Sequence, residues 1–156
     1  AKLFEAVLRS LIAELNQTAV AVVMQTEAKE PLDAVLAGLR VALSFAGRPD
    51  FHRIVTVDGP GVVGVDAWRE IDSQLGLRTV AGGVKRLKAL GLIADIPTRA
   101  LAVLILGAMN NAGFALARSE PDVDLDRLML AFRHLFEGLA PRPVAPDTAQ
   151  RQPAAP

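Results

Sequence analysis

The spacing of apolar residues along the chain predicts a series of amphipathic helices. In the first, large apolar residues recur at intervals of three and four from Phe4 onwards, which predicts a helix to about Ala28. Pro31 suits the first turn of a second helix, which Gly47 and Pro49 are expected to end. Charged residues separate the apolar positions in both segments, so each helix is expected to bury one face.

The middle of the chain is harder to assign, because residues 50–57 contain the apolar run FHRIVTV. Its β-propensity alone favours a strand. We interpret it instead as a short helix that stops at Gly59 and Pro60, with the glycine as a left-handed C-cap. A further helix is expected from about Val65, weakened where Gly76 interrupts it.

The next segment is an uncharged helix that Pro97 opens and that runs to about Ser119. Its 17 residues from 101 to 117 carry no charge, which is the short edge of what a bilayer requires. Asn110 and Asn111 lie at its centre, where hydrocarbon would leave their amides without partners. We therefore expect a buried helix that does not span a membrane, with one asparagine in a structural role.

The last helix is expected to begin near Asp122 or Asp124, whose carboxylates can cap its first turn. Two apolar stripes, one small along the uncharged helix and one large along the last helix, predict a dimer interface. Its members are Ala108, Ala112, Ala115, Leu125, Leu128, Phe132, Leu135 and Leu139. Residues 1–140 then form one domain, and 141–156 a mobile tail rich in proline and alanine.

Composition narrows the class of protein. Only 4% of residues are aromatic, and alanine, leucine and valine dominate, which favours an all-α fold. With the helices described above, we expect about six helices in an antiparallel bundle. Lys and Arg together number 17, as do Asp and Glu, and this balance argues against direct nucleic-acid binding. Because there are no cysteines and two histidines, we expect no metal site and no cofactor.

One motif points to a different class. The segment GPGVVG, residues 59–64, matches the dinucleotide fingerprint G-x-G-x-x-G and follows an apolar run. The fold that uses this fingerprint needs a second parallel strand, and the sequence after Trp68 is helical in pattern. A turn between helices is the favoured interpretation. The alternatives are a nucleotide-dependent enzyme using this loop and a helical scaffold without a ligand.

A mainly apolar pocket is expected where the helices converge, with His52 and one asparagine orienting a lipophilic ligand. A partly buried imidazole bonded to a carbonyl is the alternative for His52. The candidate ligand-binding residues are the large or polar side chains expected at the centre: Met24, Phe45, Phe51, His52, Trp68, Met109, Asn110 and Phe114. No catalytic residues are expected.

Three segments carry a resemblance to a known family: LFEAVL near the start, IVTVDGPGVVGVDAWREID in the middle, and LAVLILGAMNNAGFALARSEPD towards the end. Together the pattern resembles the effector-binding and dimerisation region of the tetracycline-repressor (TetR) family of bacterial transcriptional regulators. The resemblance covers about residues 3–139. It implies a cytoplasmic, ligand-responsive homodimer that is not an enzyme and whose last two helices form a four-helix bundle with the partner's.

In that family a helix-turn-helix reads DNA and precedes the segment that LFEAVL resembles. The present sequence shows no helix-turn-helix before Leu3. DNA binding is therefore expected only through a missing N-terminal domain, with ligand binding shifting the spacing of the DNA-reading heads.

Overall fold

A computed structural model describes residues 2–26 and 30–141, and these residues form helices without any strand. The elements are α1 (Lys2–Gln25), α2 (Pro31–Ala46), α3 (Pro49–His52), a first π-helical turn (Arg53–Asp58), α4 (Gly59–Val63), α5 (Val65–Asp72), a second π-helical turn (Ser73–Leu77), α6 (Arg78–Ala89), α7 (Thr98–Ala117) and α8 (Leu125–Gly138). The backbone stays helical from α3 to α4 and from α5 to α6, so the elements make six rods. The all-α expectation of about six helices is confirmed. The predicted tail, 141–156, lies outside the described residues except for Pro141.

Local chemistry explains several helix ends. Pro31 occupies the first turn of α2, where its missing N–H would have no partner anyway. The carboxylate of Asp124 accepts a hydrogen bond from the backbone N–H of Arg127 at 2.8 Å, which caps α8. Gly64 separates α4 from α5. Its φ of 89° is a backbone conformation that glycine adopts more readily than other residues. The predicted starts of α2 and α8 are confirmed.

The predicted stop at Gly59 and Pro60 is wrong. Gly59 is right-handed, with φ of −50° and ψ of −60°, and the helix continues to Val63. Pro60 has no N–H for the carbonyls of the preceding turn. The carbonyl of Val55, five residues earlier, accepts a hydrogen bond from Nε1 of Trp68 at 2.7 Å instead. A side chain from α5 therefore compensates for the proline and allows the π-helical turn to persist.

Two packed hydrophobic clusters hold the rods together. One joins α2, α6, α7 and α8 around residues such as Leu43, which is fully buried, and Phe136. The other joins α1, α3 and α5 around Leu8 and Ile71, which are also fully buried. Helix α2 lies centrally and packs against α1, α7 and α8. The space between the two clusters is where the candidate site lies.

A candidate ligand-binding cavity

A cavity of about 560 Å³ lies between the two clusters. Leu43 and Phe136 of the first cluster face it, as do Ile12 and Val55 of the second. Helices α1, α2, α6 and α7 form most of the wall, and both π-helical turns contribute residues to it. Its volume falls within the range of about 300–1,000 Å³ that is usual for small-molecule sites.

The wall is predominantly apolar. Its aliphatic and methionine side chains include Leu15, Val20, Val23, Met24, Val35, Leu39, Val80, Val84, Leu87, Ile105, Leu106 and Met109. Such a wall binds apolar groups by removing their surface from water, at roughly 25 cal/mol per Å² before the costs of association. The cavity is therefore suited to a lipophilic molecule.

The structure brings most of the predicted ligand-binding residues together. Seven of the eight line this cavity, namely Met24, Phe51, His52, Trp68, Met109, Asn110 and Phe114. Phe45 does not line it. Its ring lies 6.2 Å from that of Phe51 in an edge-on arrangement and borders a separate pocket of about 110 Å³. The Phe45 ring therefore packs against Phe51 on the side away from the cavity, because α2 directs the Phe45 side chain out of the cavity.

The imidazole of His52 packs edge-on against Phe114, with ring centroids 4.7 Å apart. This contact joins α3 to α7 at the cavity wall and differs from the carbonyl hydrogen bond that was the alternative. The side chains of two other polar wall residues donate hydrogen bonds to backbone carbonyls four residues earlier in the chain. Asn16 donates to the carbonyl of Ile12 at 2.9 Å, and Thr79 donates to that of Leu75 at 2.9 Å.

Asp72 is a polar wall residue that sequence reasoning missed. Burial raises the pKa of its carboxyl above the ordinary value, and the neighbouring Asn110 side chain lowers it in part. The carboxylate folds over Gly76, where an added Cβ would lie 3.2 Å from its Oδ1 and 3.4 Å from Leu106. None of the salt bridges among the described residues includes Asp72. No pattern in the sequence distinguishes it from the other acidic residues.

Exposed wall residues mark where the cavity meets solvent. On α1 these are Val20 and Met24, which are 46% and 69% exposed. On α6 they include Arg78 and Arg86, and on α7 Asn110. The cavity is therefore open along the second half of α1 and along α6, which gives a ligand a route in.

The predicted dimer-interface residues divide into two groups. Ala112, Ala115 and Phe132 are buried within the chain. Ala108 and Leu135 are exposed. The remaining three, Leu125, Leu128 and Leu139, are half-buried against the first cluster. The chain uses the inner side of both apolar stripes for its own core, and the dimer interface stays a prediction.

Helix α7 is also less enclosed than expected. Val103 is 51% exposed and Leu104 is 71% exposed, so one face of α7 is apolar and open to solvent. By length and composition alone, α1 and α7 are each apolar enough to cross a membrane, a test that core helices of soluble proteins pass as well. The open face of α7 is therefore a candidate contact surface.

The nucleotide-binding alternative lacks its structural context. Residues 53–58, where that fold needs a strand, form the first π-helical turn, and Gly59–Val63 is helical. In the part of the chain that the structure describes, no three metal-binding side chains cluster together. The cavity is therefore a better supported functional site than a nucleotide-binding loop or a metal centre.

Comparison with known proteins agrees with this architecture. A family model described as tetracyclin repressor-like, C-terminal domain, matches residues 32–139, from the start of α2 to the residue after α8. No curated protein matches the chain. The family match spans more than two thirds of the 156 residues and includes every cavity wall except α1. The chain therefore belongs to the tetracycline-repressor (TetR) family, and residues 32–139 are its C-terminal domain, the regulatory part that in this family generally dimerises and binds effectors.

Proposed function

We propose that this chain is the ligand-sensing and dimerisation domain of a TetR-type transcriptional regulator, and that a lipophilic small molecule binds in the cavity. The observation that carries the proposal is the apolar cavity of about 560 Å³ between the two clusters. A scaffold without a ligand would gain stability by filling such a space, because empty apolar volume costs packing energy. The domain regulates by binding, so no chemistry on the ligand is required.

Helix α1 is the element through which binding would act. Seven of its residues line the cavity: Ile12, Leu15, Asn16, Ala19, Val20, Val23 and Met24. A ligand that contacts α1 differently in two arrangements of that helix shifts the population between them. In the family, the segment that α1 resembles follows the DNA-binding helix-turn-helix. Ligand binding would thus change the spacing of DNA-reading heads attached before α1, and DNA would be contacted only through them.

The cavity proposal is tested by filling the space. An added Cβ at Gly83 meets no atom within 4 Å, and Gly83 lines the cavity, so a leucine there would occupy part of the ligand's volume. Gly61 has the same open surroundings outside the cavity and provides the matched control. Both substitutions replace a helical glycine, so both improve helix propensity by about 1 kcal/mol.

The assay is a thermal shift with decanol. At a ligand concentration of about 100 times Kd, binding stabilises the folded state by about 2.7 kcal/mol. We expect decanol to raise the Tm of the native chain and of Gly61→Leu, and to have little effect on Gly83→Leu. An equal rise in all three proteins, or none in the native chain, would contradict binding in this cavity.

The dimer interface is proposed on the open faces of α7 and α8. Leu104 and Ala108 lie one turn apart on α7, and Leu130 and Leu135 are 58% and 61% exposed on α8. A partner copy that covers these faces would complete a four-helix bundle and remove exposed apolar surface from water. Of the residues first predicted, Ala108 and Leu135 are central to this interface, and Leu125, Leu128 and Leu139 lie at its inner edge.

Sedimentation equilibrium tests the interface. Leu104→Glu places a charge on the open face without disturbing the core, so we expect the mass to fall from that of a dimer to that of a monomer. Val62→Glu, at a position on α4 that is 45% exposed, should leave the dimer intact. A native chain that sediments as a monomer would refute the interface.

Residues 1–140 are proposed to act as one functional unit, with 141–156 as an appended tail. A cytoplasmic location and operation without a cofactor or metal are proposed with it, since TetR-family regulators are generally cytoplasmic. The interface and the cavity then belong to the same domain, and α7 contributes to both.

A further inference from the structure

The carboxylate of Asp72 is an unusual group for the wall of an apolar cavity. It is half-buried at the end of α5, faces aliphatic side chains such as Leu106, and forms no salt bridge with any described residue. Taking a carboxylate out of water without a cation partner costs free energy, which is consistent with the raised pKa of this group. Among the described residues, the site therefore holds a carboxylate that forms no ion pair.

Other charged or titratable groups on the wall have to be weighed against Asp72. They are His52 on α3 and the guanidinium groups of Arg78 and Arg86 on α6, while α1, α2, α7 and α8 contribute only neutral groups. Both arginines are exposed, so water and salt screen their charge. Asp72 lies in a less polar environment, where a charge interacts more strongly with a nearby partner. The inner wall is thus electronegative at Asp72, although the wall as a whole has more cations.

We infer that the cavity selects lipophilic cations, with the alkyl part against the apolar wall and a protonated amine bound to Asp72. This inference rests on the proposed function, because it specifies the ligand class of the same cavity. Asn110, beside Asp72, offers an amide oxygen as a second acceptor for the ammonium group. Gly76 leaves room for the carboxylate at this place, because an added Cβ there would lie 3.2 Å from Oδ1 of Asp72.

The pH dependence follows from this arrangement. An alkylammonium group stays charged well below neutral pH, so protonation of Asp72 is what removes the attraction as the pH falls. Protonation of His52 would also disfavour a cation, and the two effects have the same sign. An Asp72→Asn variant separates them, because it leaves His52 and both arginines unchanged.

The test compares three probes of equal chain length, decylamine, decanol and decanoate, by isothermal titration calorimetry. Decanol is kept below its solubility limit, and the two charged probes below their micellar concentrations. We expect the native chain to bind decylamine roughly tenfold more tightly than decanol, as a hydrogen bond to a charged group implies. Asp72→Asn should remove this preference and keep decanol binding. Asp66→Asn, an exposed carboxylate on the same helix and outside the cavity, should keep both.

Each outcome decides a distinct point. Decylamine and decanol binding equally to the native chain, or an amine preference that survives Asp72→Asn, would overturn the inference and leave the cavity proposal standing. Decanoate binding most tightly would overturn it in favour of Arg78 and Arg86. Failure of all three probes would instead contradict the proposed function, and the inference with it.

Discussion

Replacing Trp68 with phenylalanine should destabilise the fold although it preserves an aromatic ring. The indole Nε1 donates to the carbonyl of Val55 at 2.7 Å, and Val55 is buried. Pro60 follows Val55 by five residues and has no N–H, so it cannot donate to this carbonyl as the fifth residue of a π-helical turn normally would. Phenylalanine removes the only side-chain donor that this carbonyl has among the described residues.

The size of the effect follows from the cost of a buried, unpaired carbonyl. Leaving such a group without a donor costs about 1–3 kcal/mol. For a chain of this length, each kcal/mol lowers Tm by about 2–4 °C. Phenylalanine also fills less volume than tryptophan on the cavity wall. We therefore expect Trp68→Phe to lower the free energy of unfolding by at least about 1 kcal/mol.

A double-mutant cycle with Pro60→Ala isolates the hydrogen bond. Alanine restores an N–H in the turn that follows Val55, so it should recover more stability in the Trp68→Phe background than in the native one. We expect a favourable coupling of about 1 kcal/mol, measured by urea denaturation followed by circular dichroism. Strict additivity of the two single changes would refute the reasoning, as would an unchanged Tm for Trp68→Phe.

Further predictions concern α7 and Asp72. Gly113→Ala should destabilise the fold by about 1–3 kcal/mol in urea denaturation, because its Cβ would lie 2.8 Å from that of Ala46 on α2. Gly107→Ala, on the same helix with open space around it, should instead stabilise by about 1 kcal/mol, and a loss similar to that of Gly113→Ala would contradict this account. Burial raises the pKa of Asp72, so its ionisation opposes folding above that pKa, and the penalty disappears as the pH falls below the unfolded value. Asp72→Asn should therefore raise Tm at pH near 7 and make no difference near pH 3, and an unchanged or lower Tm near pH 7 would contradict this sign.

The helices themselves could be predicted because each is encoded by local spacing and caps. Pro31 and Asp124 fix the starts of α2 and α8 through interactions within one turn. The π-helical turn before Pro60 could not be predicted in this way. The Trp68 side chain, which donates a hydrogen bond to the carbonyl of Val55, lies 13 residues away along the chain. Turn chemistry alone correctly identifies Pro60 as unfavourable in a helix, and only the tertiary contact overrides it.

The types of residue that line the site could be predicted, but the direction in which each side chain points could not. Phe45 and Phe51 are equally suitable as pocket residues by type, and only the direction in which α2 presents Phe45 separates them. The apolar stripes of α7 and α8 pose the same difficulty, because periodicity shows that a face is buried without showing which chain covers it. Ala112 and Phe132 are covered by their own chain, whereas Leu135 is not.

Binding of a lipophilic molecule in the cavity can be followed directly, because the chain has a fluorescent reporter, Trp68, on the cavity wall. Trp68 is the single tryptophan and there is no tyrosine, so intrinsic fluorescence excited at the indole band comes from this residue alone. Titration with decanol should change the Trp68 emission in a saturable way in the native chain and in Gly61→Leu, with little change in Gly83→Leu. A native emission that does not respond, or the same response in Gly83→Leu, would contradict binding in the cavity.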